Sequence, residues 1–194
     1  MFTEQKFNIP TLHGISTKTI EEHMKLYAGY VKNTNAIIEK MSTIDSEKDA
    51  YALGELFRRF SFEYNGMRNH EVYFSLFEGG AKALDPESAL GKTLLGLFGS
   101  YERFIEEFTS LATTRGIGWA VLWYDKKQKT ILASWVDEQH LGQLNGCEMI
   151  IGLDMWEHSY VADYQPSGKK QYVADFFANI NWSVAEQYFT EAQK

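Results

Sequence analysis

Four side chains could share one metal ion. In "GLDMWEH", Gly152 to His158, an apolar run ends in a carboxylate, Asp154, with the imidazole of His158 four residues later. Burying Asp154 is costly unless an ion pair, a helix cap or a cation offsets its charge. His23 and His70 each fall on the inward side of a predicted helix, among aromatic residues. Three neutral imidazoles and one carboxylate suit a first-row transition metal such as Fe, Mn or Zn and leave a position for a bound water. Taken singly, each is more often a hydrogen-bonded core histidine or a capping aspartate, and for the set as a whole spacing leaves both readings open.

Composition narrows the partners. At 44% apolar and 15% aromatic, the 194 residues can bury one sizeable core or two small ones sharing an interface. A net charge of -7, with Lys and Arg scattered, offers no basic stripe to nucleic acid. No apolar run approaches the roughly 20 residues of a membrane span, and "MFTEQKFNIP" lacks the apolar centre of a secretory signal. The chain therefore reads as soluble and cytoplasmic, with no membrane partner. Cys147, the single cysteine, follows Gly146 in a predicted loop and excludes an internal disulfide or a CxxC metal site, so His and carboxylate must carry any metal.

The elements that must position these donors follow from periodicity. Ser16 is a predicted N-cap, and Ile20, Tyr27, Val31 and Ile38 recur at helical spacing, with His23, Tyr27 and Tyr30 on one face. A second helix is expected over residues 48–77, its stripe made by Leu53, Leu56, Phe60, Met67, Phe74 and Phe77. Two long helices with a short connection make an antiparallel hairpin. The glycines and proline of "EGGAKALDPESALG" mark a boundary, giving an N-terminal helical hairpin domain over 1–84 and a C-terminal α/β domain over 85–194. One helix is expected over 88–112, then strands "GWAVLWY" and "TILASWV" joined by the turn "DKKQK", a third strand "EMIIGL", and one closing helix across "QYVADFFANINWSVAEQYF". The expected class is α+β, a long α-hairpin followed by an α/β domain with a three-stranded antiparallel sheet.

Several of these motifs, in order, resemble the iron/manganese superoxide dismutase family over nearly the whole chain. "ISTKTIEEH" followed by "YV", "RNHEVYF", "GIGWAVL", "GLDMWEH" and the later "INW" each match a family segment. The resemblance implies metal ligands His23, His70, Asp154 and His158, one Mn or Fe ion per subunit with Mn preferred, and superoxide as substrate. The oxidised metal would take an electron from one superoxide, releasing dioxygen, and the reduced metal would pass it to a second, giving hydrogen peroxide. An anionic ligand favours the trivalent ion and neutral imidazoles the divalent one, so the mixture can hold the couple between the two half-reactions.

In the family a Gln or His from one of two elements hydrogen-bonds the metal-bound solvent. Gly66 stands where iron-type enzymes place a Gln, and counting back fifteen residues from Asp154 gives Gln139 as the donor instead. A slip of one residue would turn His140 inward, with His140 otherwise a surface or interface residue. Gly66, Gln139 and Gly152 together resemble the manganese-type pattern. Tyr30 is the expected gateway tyrosine, Trp119 and Trp156 the pocket wall or plain core, and Glu157 the residue that crosses a homodimer interface to a His ligand of the other subunit. The pattern departs from the family in three places: Tyr30 stands seven rather than eight residues after His23, Tyr27 stands at the fourth where a His is usual, and Val161 replaces a Tyr. His13 has no family match and reads as a surface residue. The rivals are a redox-neutral metalloenzyme such as a zinc hydrolase, which would need a general base at the open position, and a non-enzymatic metal-binding protein on the same scaffold.

Overall fold

Ser16 opens the first helix by accepting a 3.1 Å hydrogen bond from the Thr19 amide, as its sequence position predicts. The computed structural model describes residues 1–194. Helix α1 (Thr17–Thr43) buries Ile20, His23, Tyr27, Val31, Thr34 and Ile37 along one stripe. Helix α2 (Ala50–Ser75) packs back against it and buries its C-terminal half from Phe62 onward, so Leu53, Leu56 and Phe60 are only half-buried. The expected α-hairpin is present.

Two expected helices are each broken in two. In place of one helix over 88–112 stand α3 (Ala89–Phe98) and α4 (Tyr101–Ala112), because Gly99 takes φ 81° and Ser100 caps the next helix through the Arg103 amide. The closing helix is likewise α6 (Lys169–Asn179) and α7 (Trp182–Ala192), after the short α5 (Val161–Tyr164). Between α6 and α7 the backbone leaves the helix to pair with the end of the hairpin. The Asn181 amide donates to the Leu76 carbonyl at 2.6 Å and the Lys82 amide to the Ile180 carbonyl at 3.2 Å.

Strands β1 (Gly118–Asp125), β2 (Thr130–Asp137) and β3 (Cys147–Asp154) form an antiparallel sheet in the order β2-β1-β3. Cys147 opens β3 rather than lying in a loop, and it is a free thiol. The central strand β1 is buried on both faces through Tyr124, which explains its unbroken apolar run. Register sets Trp119 of β1 opposite Asp154 of β3. A single core of 37 buried residues runs from Leu12 to Ala192, so a boundary at 84/85 divides the chain but not the core. No helix is long and apolar enough to cross a membrane.

Candidate metal centre

Helix α1 contributes His23, α2 His70, the end of β3 Asp154, and the turn after it His158. Their ligand atoms all lie within 4.8 Å of one another. Asp154 Oδ2 is the hub, 3.0 Å from His23 Nε2, 3.1 Å from His158 Nε2 and 3.5 Å from His70 Nε2. The other oxygen, Oδ1, accepts from the Trp156 amide at 2.8 Å, and the Asp154 carbonyl accepts from Ser159 Oγ at 2.9 Å. The carboxylate is thus locked before any ion arrives.

The donor chemistry fits a metal. His70 Nδ1 faces the Gly66 carbonyl one helical turn back, which makes Nδ1 the protonated nitrogen and turns the Nε2 lone pair toward Asp154. That Nε2 is buried and has no hydrogen-bond partner, and an unpaired buried acceptor aimed at three other ligands is what a cation would satisfy. Three imidazoles and one carboxylate are also the ligand types that Mn, Fe or Zn accept.

Burial pushes His23 below its ordinary value, against the pull of Asp154. Burial, then the nearby His23, brings His70 down from 6.5 to about 3. Burial alone would raise Asp154, but the His158 and His23 groups around it more than offset this and hold the carboxyl well below the usual carboxylate range. The linkage follows: between about pH 3 and 6.5 the unfolded chain holds a proton on residue 70 that the folded chain does not. The stability of the metal-free protein is therefore expected to be level above about pH 6.5 and to fall as pH drops through 6 and 5, with Asp154 adding to the loss below its unfolded value of 3.8. Urea midpoints measured from pH 8 to 4 check this, and a midpoint that rises on acidification contradicts it.

Gln139 faces inward. It is fully buried, its Nε2 donates to Tyr30 Oη at 2.9 Å, and its Oε1 accepts from Trp119 Nε1 at 2.9 Å. The second N–H on Nε2 has no protein partner. His140 points elsewhere and sets its ring edge-on to Phe62, with centroids 5.7 Å apart. Trp156 stacks on His158 and donates its indole N–H to the Glu138 carbonyl at 3.1 Å, while the Trp119 ring lies 5.0 Å from His70.

Tyr30 packs over Gly66, where an added Cβ would sit 2.5 Å from Cδ1 of the tyrosine ring. Burial first, then the Asp154 and Glu63 carboxylates, push the Tyr30 phenol above its ordinary range, so it stays protonated at neutral pH. Gly66→Ala is expected to cost about 1–3 kcal/mol because a whole ring must move. Gly152→Ala is expected to cost less than about 1 kcal/mol, because its added Cβ meets only the flexible Met149 thioether, at 2.7 Å from Sδ. Chemical denaturation of the two variants checks the order.

Tyr27 does not stand at a gateway. It is 2% exposed, its hydroxyl accepts from the Gln5 amide at 2.9 Å and donates to Glu71 at 3.2 Å, and burial pushes its phenol up to about 12. Four residues before Tyr30 the helix instead presents Leu26, 42% exposed. The shortened spacing rotates the helix face, and counting forward from His23 misses that rotation. Sequence reasoning also passed over Phe62, although it lies on the His70 face two turns back, and over Asn69, beside His70 in the same motif. His13 is on the surface, 3.2 Å from Asp175. Glu157 is exposed and has no ion-pair partner in its own chain.

Residues 10–78 match the family model described as iron/manganese superoxide dismutases, alpha-hairpin domain, and residues 86–188 match the C-terminal domain of the same family. A protein of Cupriavidus metallidurans named an Fe superoxide dismutase is 36% identical over 186 residues, covering 93% of this chain and 91% of that protein. One of Tetrahymena pyriformis with the same name is 30% identical over 175 residues, covering 88% and 89%. A mitochondrial Mn superoxide dismutase of Glossina morsitans morsitans is 30% identical over 190 residues, covering 96% and 87%.

Proposed function

The chain belongs to the iron/manganese superoxide dismutase family, and from that premise we propose that it prefers manganese and works as a homodimer. Its reaction is the family's: two superoxide anions and two protons give dioxygen and hydrogen peroxide at one Fe or Mn site made by His23, His70, Asp154 and His158. The convergence of those four ligand atoms within 4.8 Å carries this conclusion. When bound, the ion supplies the one-electron couple that oxidises one superoxide and reduces the next.

The protein's own residues do the rest. Asp154 and the imidazoles hold and electrostatically balance the ion. Gln139 is the donor whose free N–H meets the solvent ligand, and Tyr30, fixed by its bond from Gln139, is the gateway that keeps a phenolic proton close to the site. Trp119 and Trp156 wall the pocket and keep water and larger molecules out.

The manganese preference rests on Gly66 and Gln139. No side chain reaches the site from Gly66, whose space the Tyr30 ring fills, and the amide comes from the connection after β2 instead. Gly152 completes that manganese-type pattern. Relatives named for either metal match the chain, and it is Gly66, Gln139 and Gly152 that favour manganese. Turnover per bound metal, compared between Mn-loaded and Fe-loaded protein, is the test. The Mn form is expected to be about tenfold the more active. An equal or reversed ratio removes the preference, and no activity with either ion at full occupancy removes the enzyme.

The homodimer is supported by Glu157, an exposed acid next to a ligand histidine, and by Ile117 and Leu141, apolar side chains 52% and 53% exposed beside the Gln139 turn. Glu157 would reach a metal-binding histidine of the partner subunit, and Leu26 and Val161 would meet that interface without a His–Tyr bond. Sedimentation should show a dimer that Glu157→Ala weakens; a fully active monomer contradicts the proposal. A free thiol at Cys147 fits a reducing compartment such as the cytoplasm. A hydrolytic reading lacks its base, since the groups beside the cluster are an amide and a phenol kept protonated.

A further inference from the structure

The Gln139 backbone is gripped as closely as its side chain. Gln139 lies in a tight turn in which the Asp137 amide donates to the Leu141 carbonyl at 2.8 Å and the Leu141 amide back to Asp137 at 3.1 Å. Glu138, just before it, takes φ 51°, a left-handed conformation that non-glycine residues adopt only when their surroundings impose it. Its amide donates to the Ile117 carbonyl at 2.9 Å. The Gln139 carbonyl then accepts two side-chain amides, Asn69 Nδ2 at 3.0 Å and Gln143 Nε2 at 3.2 Å. Gln143 Nε2 also donates to Asn69 Oδ1 at 3.2 Å.

This triangle has one consistent assignment. A carbonyl can only accept, so Asn69 must turn its NH2 to Gln139, and its Oδ1 must then take the remaining N–H of Gln143. Gln143 therefore spends both donors on the unit that orients Gln139. It does not touch the four metal donors. It lies half-buried on the wall of a separate groove of about 620 Å3, together with Asn69 and Arg68.

We infer that Gln143 is a positioning residue for the dismutation: by tying the Gln139 carbonyl to Asn69 on α2, it fixes the distance between the Gln139 carboxamide and the groups it serves, Tyr30 Oη and Trp119 Nε1. A carboxamide on a three-bond side chain can meet two partners at 2.9 Å only if its backbone is held, and misplacement by about 1 Å costs up to about 100-fold in rate. The inference rests on Gln139 being the donor to the solvent ligand. It adds that this donor is aimed from the far side, through its main chain.

Gln143→Met keeps the length and volume and removes both donors, and Gln143→Glu replaces them with a repelling carboxylate. In the full chain loaded with diamagnetic zinc, hydrogen exchange of the Trp119 indole N–H, followed by NMR, is expected to speed up about tenfold in Gln143→Met. The Trp123 indole, which donates to Ser134 Oγ at 2.9 Å in the same sheet, is the internal control and should not change. In the Mn-loaded enzyme kcat should fall roughly threefold to tenfold at unchanged metal content, and further in Gln143→Glu. Equal acceleration of both indoles would mean a purely structural role and overturn the inference, as would unchanged exchange at Trp119 with unchanged kcat. Gln139→Ala, run alongside, separates the failures: if it changes neither exchange nor kcat, the premise about Gln139 fails, and if it alone lowers kcat, Gln143 has no positioning role.

Discussion

Asp154→Asn is expected to leave a folded chain that no longer retains Mn or Fe through dialysis and has less than about 1% of the parent activity. The substitution keeps the shape and replaces one oxygen of a locked carboxylate by an NH2. Asp154 is the only anion in the cluster, and its Oδ2 is the point on which the three imidazole nitrogens converge within 3.0–3.5 Å. Removing one partner of a buried charged assembly costs about 3–5 kcal/mol, equivalent to a loss of at least about 100-fold in affinity. An amide N–H at that position would also face nitrogens that must offer lone pairs. Metal content by mass spectrometry and superoxide consumption check the result, with circular dichroism to verify folding. Retention of the ion at parental affinity would show that the imidazoles suffice and that the carboxylate charge is not what balances it.

Gln139→Ala should act differently: metal content is expected to hold while activity falls about 10- to 100-fold, the usual range for a partner lying just outside the ligands. It removes the donor to Tyr30 and the acceptor for Trp119, leaving a buried indole N–H unsatisfied. A loss of stability of about 1–3 kcal/mol should accompany the change. His140→Ala, whose ring rests on Phe62 rather than on the cluster, should keep most of the activity. If the two variants exchange these behaviours, the assignment of Gln139 is wrong. Turnover, metal content and urea midpoints on the same preparations separate chemistry from folding.

The four ligands were legible because each sits in a short motif whose local periodicity says which way it faces: His23 and His70 on apolar helical stripes, Asp154 at the end of an apolar strand. Most of what escaped was set by distant partners. The break between α6 and α7 is made by backbone pairing of Ile180 and Asn181 with Leu76 and Lys82, about a hundred residues away, and nothing in "FFANINWSV" announces those partners. The break at Gly99 and Ser100 was locally readable as a glycine stop followed by a serine cap, signals the long apolar pattern overrode. The choice between Gln139 and His140 depended on the positive φ of Glu138, and a turn held from outside by the Ile117 carbonyl and the Asn69 amide does not show its phase in its own composition. Gly66 reads as a missing donor in the sequence; only in three dimensions is it also the floor under Tyr30.

The donors are also widely spread in sequence: His23 and Asp154 meet at a separation of 131 residues, and the strand that delivers the carboxylate is the last of the three to be made. A ribosome that has released only the hairpin exposes two of the four donors, His23 and His70, without the carboxylate of Asp154, a poor trap for a divalent ion. The four-donor site is therefore complete only after synthesis of β3 and the turn that carries His158. Growth under iron or manganese limitation is therefore expected to be recorded in the metal content of newly made protein, measured by mass spectrometry of the purified chain.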